Sequence, residues 1–497
     1  MKEWILGIDI GTSGCKTAAF HYQEGLTSVV TQSYPTQYPK NGWAQQNPGD
    51  WWNAAVTGIR HLLRSGVNPR QIAAVGVDGQ GWDPVFLDRK GNVLTPTPIW
   101  QDMRSGIYLT EYNEQEKEDI FRVSGNPLQP AYATLKVRWI RDHLPLVYEQ
   151  LHTLLLCSGF LVYCLTGEKI QDLSQAYSWH FYNIHKGTWD YDLAERFAVR
   201  PSMLPPLVPS SAIVGSVTEE AAALTGLIPG TPVIAGGLDA ACANLGAGII
   251  HDGQCQEQGG SAGGLSICSS ESHASRELIL SNHVIPGKYL LQGGTTGGGG
   301  VLRWIASQLE DPDGTGPISD TVYEALLERA SKAPAGSDGM VFLPYLSGER
   351  SPIWNPAAKG VWFGLDYAKS KSHLIRSAME GVVYSVRHNM EAAYQAGCTV
   401  DTVRTTGGLS KSAFLCQMKA DILGKNVDVC QSDTATVLGT AILAGVGAGL
   451  YRSYEEACDT LIRVKQHFHP DPAAAPVYEQ GYRTYLSLYR SLEHLMK

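Results

Sequence analysis

Two similar glycine- and serine-rich turns, one near the start of the chain and one near its middle, constrain the fold most. The first turn, Gly11–Gly14, lies between predicted strands at Trp4–Ile10 and Cys15–Tyr22. The second, Gly259–Gly264, lies between predicted strands at Cys255–Gln258 and Leu265–Ser269. Because one strand–turn–strand unit occurs twice, we expect two related α/β halves. We place their boundary between residues 248 and 249, which gives domains 1–248 and 249–497.

Length and composition limit the class of protein. A chain of 497 residues is too long for one hydrophobic core, so two large domains are expected. The net charge of −9 argues against nucleic acid or an anionic membrane as the main partner. None of the 10 cysteines forms a Cys-x-x-Cys pair, which disfavours a zinc site. Several of these cysteines lie in apolar runs, as free thiols do, so a reducing, cytoplasmic protein is expected. No signal peptide or apolar run long enough for a bilayer is expected.

The two turns are suited to binding phosphate groups. Successive backbone N–H groups turn inward in such a loop, and small side chains leave room for an anion. Asp9 lies two residues before the first turn and can hold magnesium, through water, because that ion keeps much of its hydration shell. The alternative is that each segment is only a hairpin turn.

Asp239 is the candidate catalytic base. A short apolar strand at 231–235 is followed by a Gly236-Gly237 turn and by a small-residue helix that begins at Asp239. A carboxylate at such a junction is held at a fixed point, as a general base requires. The alternative is that Asp239 caps its helix, the commoner use of Asp there. The helix N-terminus is expected to keep Asp239 ionised.

Polar residues at two further strand ends are candidates for sugar binding. The predicted strand Ile72–Val77 runs into a glycine-bent segment, in which Trp82 offers an apolar platform and Gln80 and Asp83 offer partners for hydroxyl groups. A structural turn with a buried Trp is the alternative. Asp102 and Arg104 follow another strand end, with a plain surface ion pair as the alternative.

Four other segments carry expectations about the fold and the nucleotide. Residues 405–412 join a strand to a helix and can lie along a nucleotide base or its phosphates. The glycine run at 293–300 precedes a helix from Val301 and can bind an anion. Residues 106–230 are predicted to be mostly helical, with a buried helix at Leu154–Thr166 that ends at Gly167. The small residues of Val437–Gly449 predict close helix packing.

The chain resembles the FGGY carbohydrate kinases over essentially its whole length. The most specific match is Gly360–Leu365 followed, after seven residues, by His373–Glu380, which fits the second family signature position by position. Lys136–His143 fits the second half of the first signature, whereas Ala131 and Ala133 depart from its usual start.

This resemblance implies two actin-like/hexokinase-type (ribonuclease H-like) domains with a cleft between them, and the substrates ATP and a sugar with Mg²⁺ as cofactor. It implies that Asp239 is the catalytic base and that Asp9, together with Asp239, belongs to the magnesium site. The residues that it assigns to the nucleotide are Gly11, Thr12, Ser13, Lys16, Gly260, Ser261, Gly407, Gly408 and Ser412. The candidate substrate residues are Gln80, Gly81, Trp82, Asp83, Asp102, Arg104 and Asp239.

Within the family the chain is most similar to the xylulokinase branch, through residues 42–52 and 344–352. Three positions depart from that branch, which changes two sugar contacts. Gly81 and Trp82 stand where Met and His are usual, and Ala240 stands where Asn usually follows the catalytic Asp. We therefore expect phosphorylation of a primary hydroxyl of a small linear sugar such as D-xylulose. Another ketose, a tetritol, a pentitol or gluconate remains open, as does a catalytically silent sugar-binding regulator, and a homodimer is a candidate assembly.

Overall fold

The computed structural model describes residues 2–309, 320–431 and 434–496. The strands are β1 Trp4–Ile10, β2 Gly14–His21, β3 Gly25–Ser33, β4 Gln45–Gln46, β5 Ile72–Gly79, β6 Val85–Leu87, β7 Thr97–Pro98, β8 Thr153–Leu155, β9 Gln171–Asp172, β10 Tyr182–Asn183, β11 Thr188–Trp189, β12 Leu207–Val208, β13 Ile213–Ser216, β14 Pro232–Ile234, β15 Gly237–Leu238, β16 Gln254–Gly259, β17 Gly263–Ser269, β18 Ile279–Asn282, β19 Tyr289–Thr295, β20 Val341–Leu343, β21 Val361–Phe363, β22 Thr402–Thr406, β23 Asn426–Cys430 and β24 Val464–Phe468.

The α-helices are α1 Pro48–Arg64, α2 Glu114–Ser124, α3 Ala133–His143, α4 Pro145–Gln150, α5 Cys157–Thr166, α6 Leu173–Ala176, α7 Tyr191–Arg196, α8 Glu219–Thr225, α9 Asp239–Gly246, α10 Gly299–Leu309, α11 Asp320–Ser331, α12 Lys371–Gln395, α13 Ala413–Leu423, α14 Ala435–Gly447, α15 Tyr454–Leu461 and α16 Ala475–Leu492. None of these helices, taken over the described residues, is long and apolar enough to cross a membrane.

Two large sheets with the same topology confirm the prediction of two related halves. The first sheet has the order β13-β14-β5-β1-β2-β3, with β15 added beside β5. The second has the order β24-β23-β22-β16-β17-β19-β18. In each, an antiparallel hairpin (β1–β2 or β16–β17) continues into two parallel strands and an antiparallel edge strand. The fold is thus the predicted pair of α/β domains, and the boundary near residue 248 stays a prediction.

Helix α14 packs the two halves together. In sequence it lies between β23 and β24 of the second sheet, but it packs on β1 and β5 of the first sheet and against α9. The two helices are in close contact at Gly439, since a Cβ added there would lie only 1.8 Å from the carbonyl oxygen of Cys242. The expectation of close helix packing at 437–449 is confirmed.

The expectation that residues 106–230 are mostly helical is wrong in part. Six short strands, β8 to β13, interrupt the helices of this region. Thr153–Leu155 is one of them, because it pairs with Val85–Leu87, so the buried helix begins at Cys157 and not at Leu154. That helix does end at Gly167, which adopts a left-handed conformation with φ of 80°.

Candidate functional site

Asp239 is held at the junction of β15 and α9. Gly236 turns the chain with φ of 84°, and a Cβ there would lie 2.1 Å from the carbonyl oxygen of Val77. Gly237 and Leu238 then pair in parallel with the end of β5. The amide of Leu238 donates to Ser174 Oγ (2.9 Å), whose hydroxyl donates to Asp172 (2.5 Å). The backbone immediately before Asp239 is therefore fixed from two sides.

The capping alternative for Asp239 is not supported by its position. Leu238 occupies the N-cap position of α9, and Asp239 is the first helical residue. A capping side chain accepts a hydrogen bond from the amide two or three residues after it in the chain. The Asp239 carboxylate instead accepts from the amide of the next residue, Ala240 (2.6 Å). Its half-buried carboxylate is left available for chemistry at the strand end.

The expectation that the helix N-terminus keeps Asp239 ionised is wrong in part. Burial, reinforced by the negative charge of Asp9, raises the pKa of Asp239 to about 7, although the hydrogen bond from Ala240 acts in the opposite direction. Desolvation of the carboxylate thus outweighs the helix dipole. At neutral pH the group is divided between its charged and neutral forms.

Asp9 lies at a second acidic position beside Asp239. It is paired across β1 and β5 with Asp78, and burial raises the pKa of both carboxyls. Lys16 Nζ lies 4.0 Å from Asp9 Oδ2 and lowers the pKa of Asp9. Asp78 also accepts a hydrogen bond from Thr440 of α14. The structure thus brings three carboxyls and one lysine to adjoining strand ends.

The first turn is tied to the candidate sugar residues. The Thr12 hydroxyl donates to Gln80 Oε1 (3.2 Å) and accepts from Trp100 Nε1 (2.9 Å). The Thr12 carbonyl accepts from Gln46 Nε2 (2.7 Å). The Gly11 carbonyl accepts from the Tyr34 hydroxyl, while the Ser13 side chain is exposed. The turn is consequently rigid on its inner side and open on the side of Ser13.

The second turn lines a cavity of about 620 Å³ in the second half. We call it the glycine-loop cavity. Of the predicted nucleotide residues, Gly260, Ser261, Gly408 and Ser412 line it. Gly407 does not line it but lies beside it, since a Cβ there would be 2.7 Å from the carbonyl oxygen of Gly259. The first-turn residues Gly11, Thr12, Ser13 and Lys16 do not line it.

Sequence reasoning missed several residues of the glycine-loop cavity. Arg303 of α10 lines it and donates from Nη2 to Ser261 Oγ (2.6 Å), and Tyr323, Glu324 and Leu327 of α11 form a further part of its wall. The glycine run at 293–300 was a signal for Arg303, because it predicted an anion site at the start of the same helix. Nothing in the local sequence pointed to α11.

A second cavity, of about 430 Å³, lies between the two halves. We call it the cleft cavity. Its first-half wall includes Trp82, Trp100 and Ala131, and its second-half wall includes Arg350 and Trp354. Among the described residues, the Arg350 guanidinium forms no side-chain hydrogen bond or ion pair, although Glu349 lies next to it in the chain and accepts from the Arg350 amide (2.7 Å). The chain thus presents three indoles and a cation to one cleft.

Of the candidate sugar residues near residue 80, only Trp82 lines the cleft cavity. Trp82 has a left-handed φ of 69° and stacks on Tyr132 with ring centroids 4.4 Å apart. Gln80 is buried and donates to Gln46 Oε1 (2.8 Å), and a Cβ on Gly81 would lie 3.0 Å from the Leu238 side chain. These contacts place Gln80 and Gly81 behind the cavity wall.

Asp83 also lies behind that wall and not on it. Its side chain is fully buried, and neither carboxylate oxygen has a hydrogen-bond partner among the described residues. Burial raises the pKa of Asp83, while the positive charge of Lys136 lowers it. The interpretation of Asp83 as a direct partner of a sugar hydroxyl is therefore not supported by its placement.

Asp102 and Arg104 form a buried pair, so the alternative of a surface ion pair is wrong. Arg104 Nη2 lies 2.8 Å from Asp102 Oδ2, and the Arg104 guanidinium lies 4.0 Å from the ring centroid of Trp43. Asp102 also accepts from the amide of Ala44 (2.7 Å). The pair therefore holds the loop before α1 to the segment that follows β7. Neither residue lines the cleft cavity.

Two family models match the chain. The model for the FGGY family of carbohydrate kinases, N-terminal domain, matches residues 4–246, and the C-terminal domain model of that family matches residues 265–448.

Individual relatives match along the whole length. The chain is 29% identical to a xylulose kinase of Staphylococcus epidermidis, over 100% of this chain and 98% of the relative. It is 26% identical to a gluconokinase of Bacillus subtilis, over 100% of this chain and 97% of the relative. It superposes on a crystal structure of xylulose kinase from Rhodospirillum rubrum with a TM-score of 0.93 at 29% identity, over 99% of each chain.

Proposed function

The chain belongs to the FGGY family of carbohydrate kinases, and we propose that it transfers the γ-phosphoryl group of ATP to a primary hydroxyl of a pentulose such as D-xylulose. The observation that carries this proposal is the fixed carboxylate of Asp239, which lies beside Asp9 and has a pKa raised to about 7. A general base whose pKa lies near the working pH is ionised in a large fraction of the molecules and is still basic enough to accept a proton. The similarity to xylulose kinases over the full length supports the choice of a pentulose.

In the proposed reaction Asp239 orients the sugar hydroxyl and accepts its proton. The hydroxyl oxygen forms a bond to the γ-phosphorus, the bond from that phosphorus to the oxygen bridging it to the β-phosphate breaks, and ADP leaves with the electron pair. Phosphoryl transfer has a loose transition state, so fixing the hydroxyl and neutralising phosphate charge matter more than strong basicity. The fixed backbone before Asp239 suits this task.

The nucleotide is proposed to bind in the glycine-loop cavity. Gly260, Ser261, Gly408 and Ser412 offer backbone and hydroxyl groups there, and Arg303 offers a positive charge. The first turn, with Thr12 and Lys16, is proposed to contact the terminal phosphates from the other half. These roles are predictions for each residue.

Magnesium fits the residues at the strand ends. Within residues 2–309, 320–431 and 434–496, no three His, Cys, Asp or Glu side chains are grouped so as to hold a metal ion by themselves. Mg²⁺ nevertheless needs only one or two carboxylates when water and phosphate oxygens complete its shell. Asp9 and Asp239 are the proposed pair, and the ion would neutralise phosphate charge.

The test is ADP release, measured by a coupled assay with ATP and Mg²⁺ across pentuloses, hexuloses, tetritols, pentitols, glycerol and gluconate. We expect fast turnover with a pentulose, its loss in Asp239→Ala, and retained ATP binding in that variant. Near-full turnover in Asp239→Ala would refute the role of Asp239. ATP binding without turnover of any sugar would favour the silent regulator.

A sugar acid is the second candidate substrate, because the Arg350 guanidinium in the cleft cavity has no hydrogen-bonding partner among the described residues. Such a cation can bind a carboxylate. Preference for gluconate over D-xylulose in the same assay, lost in Arg350→Gln, would select this candidate. A cytoplasmic location and a homodimer also stay predictions.

A further inference from the structure

Lys136 of α3 is completely buried, and it lies immediately behind the cleft cavity. Its Nζ donates to three carbonyl oxygens, those of Trp82 (2.7 Å), Ile99 (2.8 Å) and Ala131 (2.7 Å). A neutral amine has only two N–H groups, whereas an ammonium has three. Three acceptors at these distances therefore require the charged form of Lys136.

The three carbonyls belong to three separate segments of the chain. Trp82 follows β5, Ile99 follows β7, and Ala131 precedes α3. Each segment reaches the first-half wall of the cleft cavity, through residues that include Trp82, Ala131 and Trp100, the neighbour of Ile99. One ammonium thus holds together the backbone from which that wall is built.

The charges around Lys136 balance it without replacing its carbonyl contacts. Asp83 and Asp102 attract the ammonium, and Arg104, which is paired with Asp102, repels it. Burial lowers the pKa of Lys136 to about 7, and these two carboxylates act in the opposite direction. A charge is retained in this interior only if its hydrogen bonds are satisfied, because an unpaired buried ion is costly.

We propose that Lys136 is a positioning residue for the sugar, because its ammonium fixes the Trp82, Trp100 and Ala131 segments as one rigid wall of the cleft cavity. This inference rests on the proposed function in so far as the sugar occupies that cavity. Loss of the ammonium should separate the three segments and weaken sugar binding, while the nucleotide, whose proposed cavity is formed by the second half, should bind as before.

The test compares Lys136→Met with Arg141→Met, a control on the same helix whose side chain is 42% exposed. Steady-state kinetics with D-xylulose should give a KM for the sugar raised about tenfold or more in Lys136→Met, since the wall is no longer fixed. The kcat should change less than about threefold, the KM for ATP should be unchanged, and the control should resemble the parent protein. An unchanged sugar KM in folded Lys136→Met would overturn the proposal.

Amide hydrogen exchange gives a readout that does not depend on turnover. Exchange should rise in peptides that cover residues 80–83 and 99–103 in Lys136→Met, and not in Arg141→Met. Unchanged exchange in both segments would overturn the proposal. If the parent protein does not turn over D-xylulose, the proposed function fails, while the exchange result still decides the role of Lys136.

A third variant covers the case in which Lys136→Met does not fold. Lys136→Arg keeps the charge, but its N–H groups diverge from a planar fork and cannot converge on three carbonyls as one ammonium does. We expect a folded protein with raised exchange in the same two segments and a raised sugar KM. Parent-like exchange and KM in Lys136→Arg would show that any buried cation suffices and would overturn the three-carbonyl role.

Discussion

At the residue scale, four carboxyls near the strand ends of the first sheet have raised pKa values. Asp9, Asp78, Asp83 and Asp239 are all shifted upward, with burial as the largest cause at each of them. Asp239 contributes to the raised pKa of both Asp78 and Asp83. Replacing water by protein around an acid favours its neutral form, so the protonation of Asp239, whose pKa is raised to about 7, depends on pH near neutrality.

The activity should therefore fall on the acid side of neutrality. A base must be ionised to accept a proton, and the pKa of Asp239 is raised to about 7. The value of kcat/KM for the sugar should rise with pH up to about 7 and then level off. Initial rates at saturating ATP, measured between about pH 5.5 and 9, check this, and a profile that stays flat through the acid range would contradict it.

The same shift should affect stability. A carboxyl whose pKa is raised on folding binds its proton more tightly in the folded state, so its ionisation destabilises the fold above its ordinary pKa. This cost grows until the pH passes the folded pKa of about 7. Asp239→Asn removes it, and for a half-buried group should raise the free energy of unfolding by about 1–3 kcal/mol near pH 8.5, with a smaller gain near pH 5.

Urea unfolding of Asp239→Asn and the parent protein at the two pH values measures this difference. Asp192→Asn, at an exposed position of α7, serves as the control and should change stability little at either pH. A gain for Asp239→Asn that is equal at both pH values would argue against a raised pKa.

At the element scale, the contact of α9 with α14 depends on glycines that pack against backbone. A Cβ on Gly246 would lie 1.8 Å from the carbonyl oxygen of Ala435, just as one on Gly439 would approach Cys242. These distances are far shorter than any ordinary contact, so the two helices could not keep their present separation if either glycine carried a side chain. Because α14 also packs on β1 and β5, a shift of this pair would disturb the sheet that carries Asp9 and Asp78.

Gly439→Ala should consequently destabilise the protein. Gly→Ala within a helix ordinarily stabilises by up to about 1 kcal/mol, but here the added methyl group should cost about 3 kcal/mol or more through overpacking. The control is Gly106→Ala, where the nearest heavy atom to an added Cβ is 3.8 Å away. Denaturant titration of both variants measures the effect, and equal stabilities would contradict the close contact.

At the scale of the whole molecule, the cleft cavity requires both halves. Trp82 and Trp100 belong to the segment before the predicted boundary, whereas Arg350 and Trp354 follow it by about a hundred residues. A sugar bound between these walls would bury apolar surface against indoles from both halves. Binding of the sugar should accordingly favour the closed arrangement of the cleft.

Trp354→Phe should therefore weaken sugar binding although Trp354 lies in the half proposed to bind the nucleotide. We expect the KM for the sugar to rise about threefold to tenfold, through lost contact area, with the KM for ATP little changed. Trp4→Phe, at the opposite end of β1 from Asp9, provides the matched control. An equal effect on the two KM values would place the contribution of Trp354 outside the sugar site.

The sequence by itself determined the features that depend on neighbouring residues. Glycine turns between strands predicted both hairpins, and their recurrence predicted two related halves, which the structure shows to share one topology. The strand, the Gly236-Gly237 turn and the helix beginning at Asp239 were likewise predictable, because chain direction and turn chemistry are local. Family signatures in the sequence identified the kinase family, and the two family models matched it as well.

Only the tertiary structure decided which of these polar residues face a cavity. Trp82 lines the cleft cavity, whereas Asp83, Asp102 and Arg104 are buried with Lys136, and no local pattern distinguishes the two outcomes. The raised pKa of Asp239 also depends on the tertiary structure, since burial by distant segments outweighs the local helix dipole. Burial and long-range contacts arise from segments that are remote in sequence, so the electrostatics of the site and the positioning role proposed for Lys136 emerge only from the folded chain.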